Sequence, residues 1–161
     1  FGTQILINNV DTILDLDNVE FVRRHLGNRS NISIALTTKN GVPNEGAFMV
    51  DADEMVLYSA ESTVNIRSMH EAKEQAEYSA SSTGALIVES EFLRSIEWSP
   101  SDGQLSLYKD IMSAALKVDS VAAFNNGMNF FVDVGTDATW QEYAYSEAVQ
   151  KQLWYDTKNS E

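Results

Sequence analysis

The chain has no cysteine among its 161 residues, only two prolines, two histidines and eight glycines, and 11 basic residues against 24 acidic ones. Without cysteine there is no disulfide framework, thiolate nucleophile, iron–sulfur ligation or thiolate zinc site. Two histidines are too few for a three-histidine metal centre and leave any imidazole catalysis to a single ring. A formal charge of −13 repels phosphate backbones and anionic lipid surfaces. Arg23, Arg24 and Arg29 form the one basic cluster, and charges at a helix end are ordinarily solvated, so no nucleic-acid partner is expected. No apolar run approaches the ~20 residues that span a bilayer, and membrane insertion is not expected either. The N-terminal "FGTQILINNVDTILDLDN" is acidic and too short in its apolar run for a signal peptide. Nucleophile elbow, phosphate-binding glycine loop, dinucleotide fingerprint, zincin motif and calcium loop are all missing from the sequence.

What is present is enough to build a core. Hydrophobic residues make up 43% and aromatics 10%, which argues against disorder and fits a single domain over residues 1–161. "EWSPSDGQ" joins Ser-Pro to Asp-Gly and reads as a hinge between layers near Pro100.

In "DNVEFVRRHLG", Asp17 is placed as N-cap, Glu20 as its capping-box partner and Gly27 as the stop of a helix with apolar Val19, Val22 and Leu26 and Phe21 beside them. Ile32, Ile34 and Leu36 alternate with Ser33, Ala35 and Thr37, the period of a strand with one buried face. Asn40-Gly41 and Pro43 mark a turn, and strands follow near 47–50 and 55–58 around the acidic tip "DADE". Helical spacing then covers 62–78, "TGALIVES" returns to strand, and "EFLRSIEW" suits a short helix. A longer amphipathic helix is predicted from Gly103 to Val118, with a reach to Phe124, then strands in "MNFFVDVG" and "TWQEYAY" and a C-terminal helix from Ser146. The sum is α+β, a mostly antiparallel sheet or small barrel flanked by three to four helices.

Several groups could carry chemistry. Asp15 and Asp17 begin like a calcium loop, but its glycine is missing and Asp17 already serves as a cap. "DVGTDATWQE" offers Asp133, Asp137 and Glu142 as weak candidates for an oxygen-ligand metal site. Glu89 and Glu91 sit two apart as glycosidase carboxylates could, although on one strand such a pair is ordinarily a solvated face. Trp140, Tyr143, Tyr145, Trp154 and Tyr155 are material for a core edge or a protein interface, with Trp140, Tyr143, Trp154 and Tyr155 as the interface candidates.

The order helix, strand, Asn-Gly, Pro, strand, acidic turn, strand, helix across Val19 to Glu71 resembles the first half of the pyridoxamine-phosphate-oxidase-like FMN-binding split barrels. The resemblance implies an FMN cofactor, with "YSAESTVNIRSM" lying where that family cradles the flavin phosphate and Ser62, Thr63 and Arg67 as the positions to inspect. Set against the missing catalytic constellations, the leading expectation is a non-enzymatic structural or interaction protein without cofactor. Most concretely, it is a self-assembling, homo-oligomeric subunit of a virion, filament or extracellular particle, located outside the cytoplasm. The FMN-dependent oxidoreductase is the alternative, and an extracytoplasmic sensor or ligand-binding domain is the third.

Overall fold

The computed structural model describes residues 3–38, 48–97, 106–125, 131–143 and 145–147. Six strands form a curled, mostly antiparallel sheet, a half-barrel: β1 (Gln4–Asn8), β3 (Ile32–Thr37), β4 (Phe48–Val50), β5 (Val56–Ser59), β6 (Tyr78–Glu89) and β7 (Val121–Asn125). The order is β5-β4-β6-β3-β7, and β1 pairs with the C-terminal half of β6, from Asn8↔Ala85 to Gln4↔Glu89. Among the described strands only β3 and β7 run parallel. A separate ladder joins β2 (Thr12–Leu14) to β8 (Phe131–Asp133). Four helices lie against the sheet: α1 (Asn18–Asn28), α2 (Met69–Gln75), α3 (Ser90–Ser95), and α4 (Ser113–Leu116) led by a π-helix over Leu107–Met112. A fifth, α5 (Asp137–Tyr143), follows β8. The α+β architecture expected from the sequence is the one observed.

β3 is buried on both faces. Ile32, Ile34 and Leu36 join the main core with Phe48, Leu86, Met112 and Val121, while Ala35 faces a second cluster built on Phe21, Ile87 and Phe124. The expectation of one wet face therefore fails: Ser33 and Thr37 are buried as well. Their small side chains leave room for α1 to lie across the sheet, and burying a hydroxyl is tolerable where it finds a partner.

α1 begins as expected, with Asp17 Oδ1 accepting from the Glu20 N–H at 2.9 Å. Glu20 turns to Arg23 and Arg24, and the helix runs past Gly27 to a left-handed Arg29 at φ 56°. Its buried face is Phe21 and His25, one turn apart, whereas Val19 is 80% exposed. The helix predicted over 62–78 shrinks to α2. Asn65 exchanges two hydrogen bonds with the Ser59 backbone and holds the preceding segment in turns, and a Ser68–Glu71 capping box starts the helix only there. The predicted reach to Phe124 fails too, because Asp119 (φ 51°) ends the helix and residues 121–125 are strand. "TWQEYAY" is mostly helix, not strand, since Thr136 Oγ1 accepts from the Thr139 N–H and opens α5. The Asn40-Gly41 turn, the Pro100 hinge and the C-terminal helix beyond Glu147 lie outside the described residues.

Candidate functional site

The β2–β8 ladder brings together residues far apart in the sequence. Thr12 pairs with Asp133, Ile13 with Val132 and Leu14 with Phe131, and Val132 is buried beneath them. Past the ladder the Val134 N–H donates to the Asp11 carbonyl at 2.8 Å, and the Gly135 N–H donates to Asp133 Oδ1 at 2.8 Å. Asp11 and Asp133 thereby meet over Gly135. A Cβ at that glycine would stand 2.9 Å from Asp11 Oδ2 and 3.0 Å from Asp133 Oδ1, so a side chain there would push the carboxylate ends aside. Both oxygens lie about 3 Å from one point, so they are at most about 6 Å apart. Both aspartates are open to solvent.

Two hard oxygen donors with an open side fit a divalent cation of the magnesium type, which takes one or two carboxylates and completes its shell with water and substrate phosphates. They do not fit a closed protein cage, and among the described residues no group of three or more His, Cys, Asp or Glu side chains could hold a metal. Asp133 was a candidate in the sequence. Its expected companions Asp137 and Glu142 lie on α5 and do not join it in such a group. Asp11 was missed; its one signal is an acid just beyond the carboxyl end of the apolar strand β1.

No protein-family model matches the sequence, and no curated protein matches it significantly. Among solved structures, the fold is similar to that of a Bacillus anthracis protein described as a glucose-1-phosphate thymidylyltransferase, solved in complex with sucrose. The TM-score is 0.61 at 17% identity, with 86% of this chain and 52% of that chain covered. The chain thus spans about half the length of that protein, and the likeness is one of fold. It overturns the expectation of a non-enzymatic, self-assembling virion, filament or particle subunit, because the shared fold is that of a protein described as an enzyme.

The three positions inspected for flavin have other partners. Ser62 Oγ donates to the Tyr108 carbonyl at 3.4 Å, and the Thr63 N–H and hydroxyl bond to Ser113 Oγ and the Lys109 carbonyl at 3.0 Å each. Arg67 pairs with Asp119 at 3.3 Å. They staple the 59–67 segment to the π-helix and α4. Of the interface candidates, Trp140 is exposed on α5 with Tyr143 half-buried beside it, while Trp154 and Tyr155 lie outside the described residues. No helix among the described residues is long and apolar enough to cross a membrane.

A second polar constellation has the residue types of a hydrolase. His25 Nδ1 lies 2.8 Å from Ser33 Oγ, His25 Nε2 lies 3.1 Å from Glu89 Oε1, and Gln4 Nε2 donates to both Glu89 oxygens. Ser33 is only 2% exposed, in the middle of the sheet, so it cannot meet a substrate as a nucleophile would. The chain of bonds instead ties α1 to β3 and β6 beside a cavity of about 300 Å³. Glu89 ends β6 and Glu91 lies on α3, so they are not neighbours on one strand face. The expected basic cluster is likewise divided, with Arg23 and Arg24 on Glu20 and Arg24 also on Glu54 at 2.7 Å. Hydrogen bonds from Arg23 and then Arg24 hold the Glu20 carboxyl down to about 2.

Proposed function

We propose that this chain supplies the cation-binding part of a nucleotidyltransferase site acting on a phosphorylated sugar. The observation that carries the reading is the meeting of Asp11 and Asp133 over Gly135. The fold likeness to a protein described as a thymidylyltransferase supports the reaction class. In such a transfer a phosphate oxygen of the sugar phosphate attacks the α-phosphorus of a nucleoside triphosphate, and pyrophosphate leaves. A divalent cation bound by the two carboxylates would offset the negative charge gathered on the phosphate oxygens.

The protein's own part is placement. The β2–β8 ladder sets the two carboxylates side by side, and the Gly135 N–H occupies one lone pair of Asp133 Oδ1 and so orients that carboxylate. The bare Cα of Gly135 keeps the space between them open. The exposed acid pair repels a free triphosphate, so binding of nucleotide is expected to depend on the cation.

Titration of the purified protein with Mn²⁺, followed by the loss of the free-ion electron paramagnetic resonance signal, tests the reading. Wild type is expected to bind, and Asp11→Asn or Asp133→Asn to weaken binding by about tenfold or more while the metal-free melting temperature is kept. Equal Mn²⁺ binding by wild type and both variants would overturn it.

A further inference from the structure

We infer that Gly84, in the middle of β6, is a positioning residue for the Asp11 carboxylate; the inference rests on the cation-binding reading of the Asp11–Asp133 pair. Gly84 sits where β6 changes partners. Before it, β6 pairs with β4 and the end of β3; after it, with β1 and the start of β3. The β3 register shifts at this point, and the buried Thr83 hydroxyl donates to the Ala35 carbonyl at 2.9 Å. Gly84 has φ +81°, a conformation glycine adopts without strain. Its N–H donates to Ser82 Oγ at 3.0 Å, and that hydroxyl lies 2.7 Å from the Tyr108 phenol. The kink is therefore anchored from both sides of the sheet.

The Asn9 side chain rests on this kink. A Cβ at Gly84 would stand 2.7–2.8 Å from Asn9 Cγ, Cβ and Nδ2, and the Asn9 N–H donates to the Gly84 carbonyl at 3.0 Å. The Asn9 carbonyl in turn accepts from the Thr12 hydroxyl at 3.3 Å, closing the turn that carries Asp11. Asn9 is thus where the turn leaves β6, and Asp11 is two residues on. From there the Asp11 carbonyl meets Val134 and its carboxylate meets Asp133 over Gly135. Any side chain at Gly84 lifts Asn9 and moves Asp11 away from Asp133. Gly84 touches no ligand; it acts through Asn9.

The test compares wild type, Gly84→Ala, Gly84→Asn and the double variant Gly84→Ala with Asn9→Gly, by Mn²⁺ titration and by the backbone amide resonances of Asp11 and Val134. Asparagine tolerates positive φ better than alanine, so Gly84→Asn fills the Asn9 seat with less strain and stands in should Gly84→Ala fail to fold. Each single variant is expected to weaken Mn²⁺ binding about tenfold, the usual effect of losing an outer support of a metal ligand, and to shift the Asp11 and Val134 resonances. The double variant, with the Asn9 side chain removed, is expected to regain most of the affinity and the wild-type resonances. Wild-type affinity in a folded single variant would overturn the inference, as would a double variant as weak as the single. Wild type failing to bind Mn²⁺ sinks the cation-binding reading instead. The amide resonances then decide the positioning role alone, by whether they move in the single variants and return in the double.

Discussion

At the scale of single residues, a buried polar atom without a partner predicts more than a satisfied one. Among the described residues the Tyr78 hydroxyl is buried and unbonded. Burial, and then the charges of Glu54 and Asp51, push its phenol up to about 12. The folded state therefore favours the neutral phenol. Its contribution to stability is fully present below the unfolded value of about 10, and is lost as pH rises through the folded value of about 12. Tyr78→Phe removes an unsatisfied donor and leaves the ring in place, so it is expected to be neutral or stabilising by up to about 1 kcal/mol at pH 7. It should also flatten the alkaline fall in stability. Thermal melts of both proteins from pH 7 to pH 12 check both outcomes; a variant markedly less stable at pH 7 contradicts them.

At the scale of elements, α1 shows which part of a helix belongs to the sequence and which to its surroundings. Its start is local: Asp17 satisfies a backbone N–H of the first turn. Asp17→Ala is expected to cost about 0.5–2 kcal/mol, read as a shift in the denaturant midpoint at unchanged slope. Its face is not local. Apolar periodicity favoured Val19, Val22 and Leu26, but the sheet receives Phe21 and His25, because His25 finds Ser33 and Glu89 there and Phe21 finds Phe124 at 5.1 Å between ring centroids. His25→Ala would strand the buried Ser33 hydroxyl and leave Glu89 to Gln4 alone, and is expected to destabilise by about 2–4 kcal/mol, whereas Val19→Ala on the exposed side should fall within about 0.5 kcal/mol of wild type. Chemical denaturation of the two variants side by side distinguishes the faces.

At the scale of the whole molecule, the β2–β8 ladder is only three residue pairs long and mostly half-buried, and it joins segments from near the two ends of the described chain. Such a ladder opens locally at a free energy well below that of the core. A ligand that binds only the closed ladder stabilises it by mass action. Saturating Mg²⁺ is therefore expected to slow amide hydrogen exchange across residues 12–14 and 131–135 while leaving the buried β3 unchanged. Equal exchange with and without Mg²⁺ at the ladder would count against the cation-binding reading.

By itself the sequence determined what depends on near neighbours: the alternation that makes 32–37 a strand, the Asp17 cap, the short strands about the acidic tip, and the α+β sum of the elements. Missing cysteine and scarce histidine also exclude thiolate chemistry and three-histidine metal centres from composition alone. Tertiary structure decided what depends on distant partners. Asn65 holding Ser59 shortened α2, an αL residue at Asp119 let 121–125 become strand, and α1 covered the second face of β3. The candidate site belongs wholly to that second class. Asp133 stood out in the sequence for its own turn, but Asp11 lies at the far end of the chain, and only the pairing of β2 with β8 makes the two carboxylates neighbours. Their meeting is set by the ladder and not by spacing along the chain, so no local pattern could have paired them.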